Sequence, residues 1–113
     1  MKVVLLDESA KRRQTITEKL ESRGHVVTEC RGSSEFLDAI SSQTPGKVII
    51  DLDAWKRGSA MFRYFDISKR ILGTPVVFFN AHETFANIAD RPRHDGDVIL
   101  PRSSSVDIIV DGV

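Results

Sequence analysis

Five short runs of β-branched, aromatic and leucine residues constrain this chain more than any other feature. They are Val3-Val4-Leu5-Leu6, His25-Val26-Val27-Thr28, Val48-Ile49-Ile50, Val76-Val77-Phe78-Phe79 and Val98-Ile99-Leu100. A continuous apolar run of this length reads as a strand buried on both faces, as in a parallel sheet. Periodicity alone does not separate such strands from short buried helices, so the segments between them decide.

Those segments carry helical signals. Ser9 to Ser22 is rich in helix formers, with Ile16 and Leu20 four apart on one face and Gly24 placed as a terminating glycine. Ser33-Ser34-Glu35 opens a second helix as an N-cap candidate, Phe36, Leu37 and Ile40 form its apolar stripe, and Thr44-Pro45-Gly46 ends it. A third is predicted over Ser59 to Leu72, where Met61, Phe62, Phe65, Ile71 and Leu72 gather, and a short fourth near Glu83 to Ala89, anchored by Phe85 and Ile88. Val106, Ile109, Val110 and Val113 recur at helical spacing behind the serines at 103–105. Strand and helix therefore alternate along the chain, which implies parallel strands joined by right-handed crossovers with helices on both faces. The stop at Asp111-Gly112-Val113 cuts into the last helix and predicts that residues 1–113, one domain, are the N-terminal part of a longer protein.

Composition narrows the function classes. Sixteen Lys and Arg balance sixteen Asp and Glu, which argues against broad nucleic-acid or anionic-membrane binding. Cys30, the single cysteine, has no intramolecular disulfide partner, and the opening residues are too few before charge sets in for a secretion signal. No apolar run reaches membrane-spanning length, and a cytoplasmic location is expected. There is no Gly-rich phosphate loop and no Gly-x-Ser-x-Gly elbow, and His25, His82 and His94 lack metal-ligand spacing. Arg91, Arg93 and His94 form a small basic loop that reads as a solvated turn.

The polar residues leaving the strands point elsewhere. In an open parallel sheet, ligands bind beyond the carboxyl ends of the strands. The first run exits into Asp7-Glu8, the third into Asp51, the fourth into Asn80 and the fifth into Leu100-Pro101. With the first and third strands adjacent, Asp7, Glu8 and Asp51 converge, and a divalent cation would relieve their repulsion. A carboxylate in such a place is also a nucleophile for phosphoryl transfer. The plainer alternative is that Asp7 caps the helix starting near Ser9.

Lys2 through Glu8, Pro45 through Leu52, Thr74 through Ala81 and Gly96 through Pro101, in this order and spacing, resemble the receiver domains of two-component response regulators, the CheY-like family. The resemblance spans essentially the whole chain. It implies a flavodoxin-like, doubly wound five-stranded parallel sheet in the order 2-1-3-4-5, with the last helix truncated. It also implies that Asp51 accepts a phosphoryl group from a histidine kinase or phosphotransfer protein, with magnesium held by Asp7, Glu8 and Asp51. The signal would pass to an output domain, a regulatory partner or a second copy in a homodimer, through the fourth helix, fifth strand and fifth helix. Such a domain is a regulatory phospho-acceptor rather than an enzyme, losing its phosphate slowly at most.

Three departures from the family pattern stand out. Asn80 replaces the usual Thr or Ser, Leu100 the lysine before the proline, and Asp97 the aromatic residue that swings inward on activation. Losing the lysine removes a charge-assisted bond to the phosphoryl oxygens worth about 1.5–3 kcal/mol. Lys56 or Arg57 is a candidate substitute cation, and Trp55 either lids the pocket or lies over the following helix. These departures motivate a second reading, a pseudo-receiver that binds partners independently of phosphorylation. A small aspartate-nucleophile phosphatase is a third, for which no second acid or substrate cap is visible.

Overall fold

The computed structural model describes residues 1–55, 73–81 and 96–113, with Trp55 described in its backbone alone. Strands β1 (Lys2–Leu6), β2 (Val26–Cys30), β3 (Lys47–Asp51), β4 (Val76–Ala81) and β5 (Val98–Pro101) form one parallel sheet in the order β2-β1-β3-β4-β5. The described helices are α1 (Ala10–Ser22), α2 (Ser33–Ser42), α3 (Leu52–Trp55) and α4 (Val106–Asp111). The fold class and strand order are those expected. The helices predicted over 59–72 and 83–89, the basic loop at 91–94, and Lys56 and Arg57 lie outside the described residues, as does the indole of Trp55.

Alternation along the strands builds two cores. Val4, Leu6, Val48, Ile50, Val76 and Phe78 face α2, which buries Phe36, Ala39 and Ile40 against them. Val3, Leu5, Ile49, Val77 and Phe79 point the other way, onto Ile16 and Leu20 of α1 and Ile109 and Val110 of α4. Each large apolar side chain so buried contributes about 1.5–3 kcal/mol relative to exposure. Both faces of β1, β3 and β4 are covered, whereas β2 and β5 are edges, and Val26 on β2 stays exposed.

The helix ends follow local chemistry. Ser9 caps α1 by accepting the Arg12 N–H, and Gly24, in left-handed backbone at φ 88°, donates to the Glu21 carbonyl beyond its end. Ser105 caps α4 through the Ile108 N–H at 3.3 Å. The start of α2 differs from expectation. Gly32, not a serine, is its N-cap, because the Phe36 N–H reaches the Gly32 carbonyl at 3.1 Å and Ser33 is already helical.

Among the described residues no helix is long and apolar enough to cross a membrane.

Candidate functional site

The chain leaves β1 and β3 in opposite directions across the sheet, β1 leading to β2 and β3 to β4, and this reversal opens a crevice at their carboxyl ends. Leu6 pairs with Ile50 and Asp51 with Phe79, so Asp7 and Asp51 emerge side by side at that crevice. Both carboxylates are fully buried.

A third charged group lies between them. Arg12, on the first turn of α1, donates Nε to Asp7 Oδ2 at 2.8 Å and Nη2 to Asp7 Oδ1 at 2.7 Å. The same Nη2 reaches Asp51 Oδ2 at 3.1 Å. The guanidinium also lies 5.0 Å from the centroid of the Phe79 ring, so an aromatic face supports its flat side. The two-point bond to Asp7, then the charges of Asp7, Asp51 and Asp53, hold Arg12 protonated beyond its usual range, against the desolvation of burial.

Asp51 is bonded at both oxygens. Oδ1 accepts the Asp53 N–H at 3.0 Å and the Asn80 Nδ2 amide at 2.9 Å. Oδ2 accepts Arg12 and, at 3.4 Å, the Glu8 backbone N–H. Burial pushes its carboxyl above the usual carboxylate range and the nearby Asp7 charge adds to this, while Asn80, Asp53 and Arg12 pull the other way. Asp7 also accepts the Ser9 N–H at 2.9 Å, so it shapes the entry to α1 while Ser9 does the capping. Arg13 fixes the same corner, donating to the Asp7 carbonyl at 2.9 Å and pairing with Glu29 at 3.3 Å.

The expected metal set of Asp7, Glu8 and Asp51 is not gathered as three facing carboxylates. Glu8 is an exposed residue that meets Asp51 through its backbone, and Arg12 stands between the other two. Among the described residues no group of three or more His, Cys, Asp or Glu is placed to hold a metal ion. In this arrangement a guanidinium fills the space between the two acids.

The three substituted positions have separate fates. Asn80 sits at φ 60°, in the left-handed backbone that asparagine tolerates best after glycine. Phe78 pairs with Ile99 and Ala81 with Pro101, so Phe79 and Asn80 together oppose Leu100, and this bulge turns the Asn80 amide to Asp51. Leu100 packs with the α1 and α4 core. Asp97, expected at the switch position, lies at the opposite end of the sheet, where its carboxylate accepts the Val76 N–H at 2.8 Å. That bond satisfies its charge at the amino edge of β4 and takes it away from the pocket.

The sequence reading missed the three arginines, Arg12, Arg13 and Arg102, that the described residues bring to this edge. Arg102, directly after β5, makes a two-point bond to Asp53 at 2.7 and 3.1 Å, linking the β5 exit to the start of α3, whose Asp53 N–H also donates to Asp51. Arg12 was legible: the Ile16 and Leu20 stripe, extended back by four, reaches it. The buried Cys30 is no rival nucleophile, because burial, with Glu35 adding, pushes its thiol up to about 11.

No family model and no curated protein matches the chain. Solved structures do. The receiver domain of response regulator 1452 from Francisella matches with a TM-score of 0.75 at 22% identity, over 97% of this chain and 90% of that one. A CheY-like response regulator receiver domain protein from Methanospirillum hungatei gives 0.79 at 11% identity, over 97% and 87%. A response regulator protein from Burkholderia pseudomallei, solved with a phosphorylated aspartic acid, a calcium ion and citrate, gives 0.78 at 16% identity, over 98% and 65%. The chain has the fold of CheY-like receiver domains.

Proposed function

We propose that this chain is the receiver module of a two-component phosphorelay, with Asp51 as the phosphoryl acceptor. One observation carries the reading: on a receiver fold, Asp51 closes β3 at the strand-order reversal, with Asp7 beside it at the end of β1. The donor class that fits is the phosphohistidine of a histidine kinase or phosphotransfer protein. Asp51 Oδ2 attacks phosphorus, the P–N bond breaks, the imidazole leaves with the electron pair and takes up a proton, and an acyl phosphate forms. Asn80 and the Asp53 N–H hold Oδ1, which orients the attacking oxygen.

The chain's own chemistry ends there, with at most slow loss of phosphate to water. Output passes to a further domain, a regulatory partner or a second copy. The face carrying β5 and α4 is suited to this, since Ile108 stands exposed on α4. A cytoplasmic location fits the role.

A specific observation favours the second reading, a phosphorylation-independent interaction module. Asp51 is fully buried and engaged at both oxygens before any donor arrives. Incubation with acetyl phosphate, with and without magnesium, followed by intact mass measurement separates the two. A base-labile phosphoryl adduct that disappears in Asp51→Asn supports the acceptor. No adduct at forcing donor concentrations leaves the interaction module.

A further inference from the structure

We propose that Arg12 is the resident cation of the carboxylate pocket, standing where a divalent ion would otherwise sit, so that the pocket is closed without metal. The inference deepens the receiver reading and rests on it for the pocket's use, though not for its occupancy.

Three independent features place the guanidinium. Its two-point bond satisfies both oxygens of Asp7, and its Nη2 extends to Asp51, so one group serves two buried carboxylates as a bridging ion would. Phe79, from β4, supports its face. Its backbone position is set by the Ser9 cap and by Arg13, which ties the first turn of α1 to the Asp7 carbonyl and to Glu29 on β2. A surface ion pair has none of these constraints, and here both acids have no solvent exposure while the Arg12 side chain keeps 30%.

Two consequences follow from charge. A divalent ion entering between Asp7 and Asp51 must displace a guanidinium or share the space with it, and the second option sets cation against cation. A phosphoryl group on Asp51 Oδ2 would form beside Nη2, and a planar fork suits phosphate oxygens as well as carboxylate ones. Arg12 would then pass from Asp51 to the phosphoryl oxygens while keeping Asp7.

The test uses the full chain and manganese(II) as the probe, with free ion followed by electron paramagnetic resonance. Wild type should leave the free-ion signal unchanged over the range in which Arg12→Gln binds, with affinity in the variant higher by at least about tenfold. Asp7→Asn added to Arg12→Gln should remove the new site. Wild type binding manganese as tightly as Arg12→Gln, or no gain in Arg12→Gln, would overturn the proposal. If Arg12→Gln does not fold unaided, circular dichroism with added magnesium carries the same decision: recovery of folded signal supports it and no recovery overturns it. An absent phosphoryl adduct alongside the expected manganese result removes the acceptor reading and leaves Arg12 in place. The opposite pair of results removes this inference alone.

Discussion

The two edges of the same sheet handle polar groups differently. At the amino edge, beside the exposed Arg23–Asp111 ion pair at 2.8 Å, bonds run through backbone: Gly46 N–H to the Lys2 carbonyl at 2.8 Å, Val26 N–H to Met1 at 3.0 Å and Val48 N–H to Pro75 at 3.2 Å. Side chains there also bond to backbone, Asp97 to the Val76 N–H and Lys47 Nζ to the Gly112 carbonyl at 3.0 Å. At the carboxyl edge, bonds between side chains dominate, and buried acids depend on Arg12 and Asn80. Backbone pairing continues the ladder and serves closure. Burying two carboxylates and bringing a cation to them gains little stability over an apolar filling, because desolvation offsets most of the attraction. Among the described residues such a cluster stands at the carboxyl edge, where the proposed use of the pocket would require it.

That contrast can be broken by mutation. The largest effect is expected for Arg12→Ala, which leaves Asp7 and Asp51 buried without their cation. Urea unfolding should show a loss of about 2–4 kcal/mol, below the fully buried case because Arg12 is 30% exposed. A loss too small to measure would mean the acids are solvated and the two edges are alike. At the amino edge, Asp97→Ala deprives the buried Val76 of the acceptor for its N–H and should cost about 1–2 kcal/mol by the same measurement. A larger loss there than at Arg12 would reverse the comparison.

The finest test concerns slope rather than total stability. Burial raises the Asp51 carboxyl, so the folded chain binds that proton more tightly than the unfolded one. The resulting stabilisation is full below the ordinary carboxylate value of about 3.9, and it is lost as pH rises through the raised folded value. Asp51→Asn has no such proton, so its stability relative to wild type should climb across that window and then level off. Denaturation of both proteins across acidic to neutral pH checks this. Wild type gaining on the variant instead would show that Arg12 and Asn80 outweigh burial.

Much of this architecture is readable in the residues alone. Unbroken apolar runs marked β1, β3 and β4 as covered on both faces, and their exits marked Asp7 and Asp51 as neighbours. The spacing of Val106, Ile109 and Val110 marked α4. What escaped depends on geometry that residue types do not carry. Arginines near helix starts are usually solvated, and only the i, i+4, i+8 row through Ile16 and Leu20 shows Arg12 turned to the sheet. The substitution at Asp97 is read from its place three residues before Leu100, a count that says nothing of which group its carboxylate meets. The pairing of Val77 with Val98 sets it at the far edge. Ser33 and Ser34 resemble caps by composition, yet which residue of Gly32-Ser33-Ser34 leaves the helix is decided by where Phe36 must pack.

The bulge at Asn80 has a bearing on how this protein could be re-engineered. Placing a hydroxyl there, as Thr or Ser, would ask a residue that resists left-handed backbone to occupy it, and for threonine the branched Cβ sharpens the conflict. Phe79 and Asn80 stand together against Leu100 alone, so the bulge fixes this backbone from both strands. A hydroxyl that reaches Asp51 from this position therefore needs a change of backbone as well as of side chain.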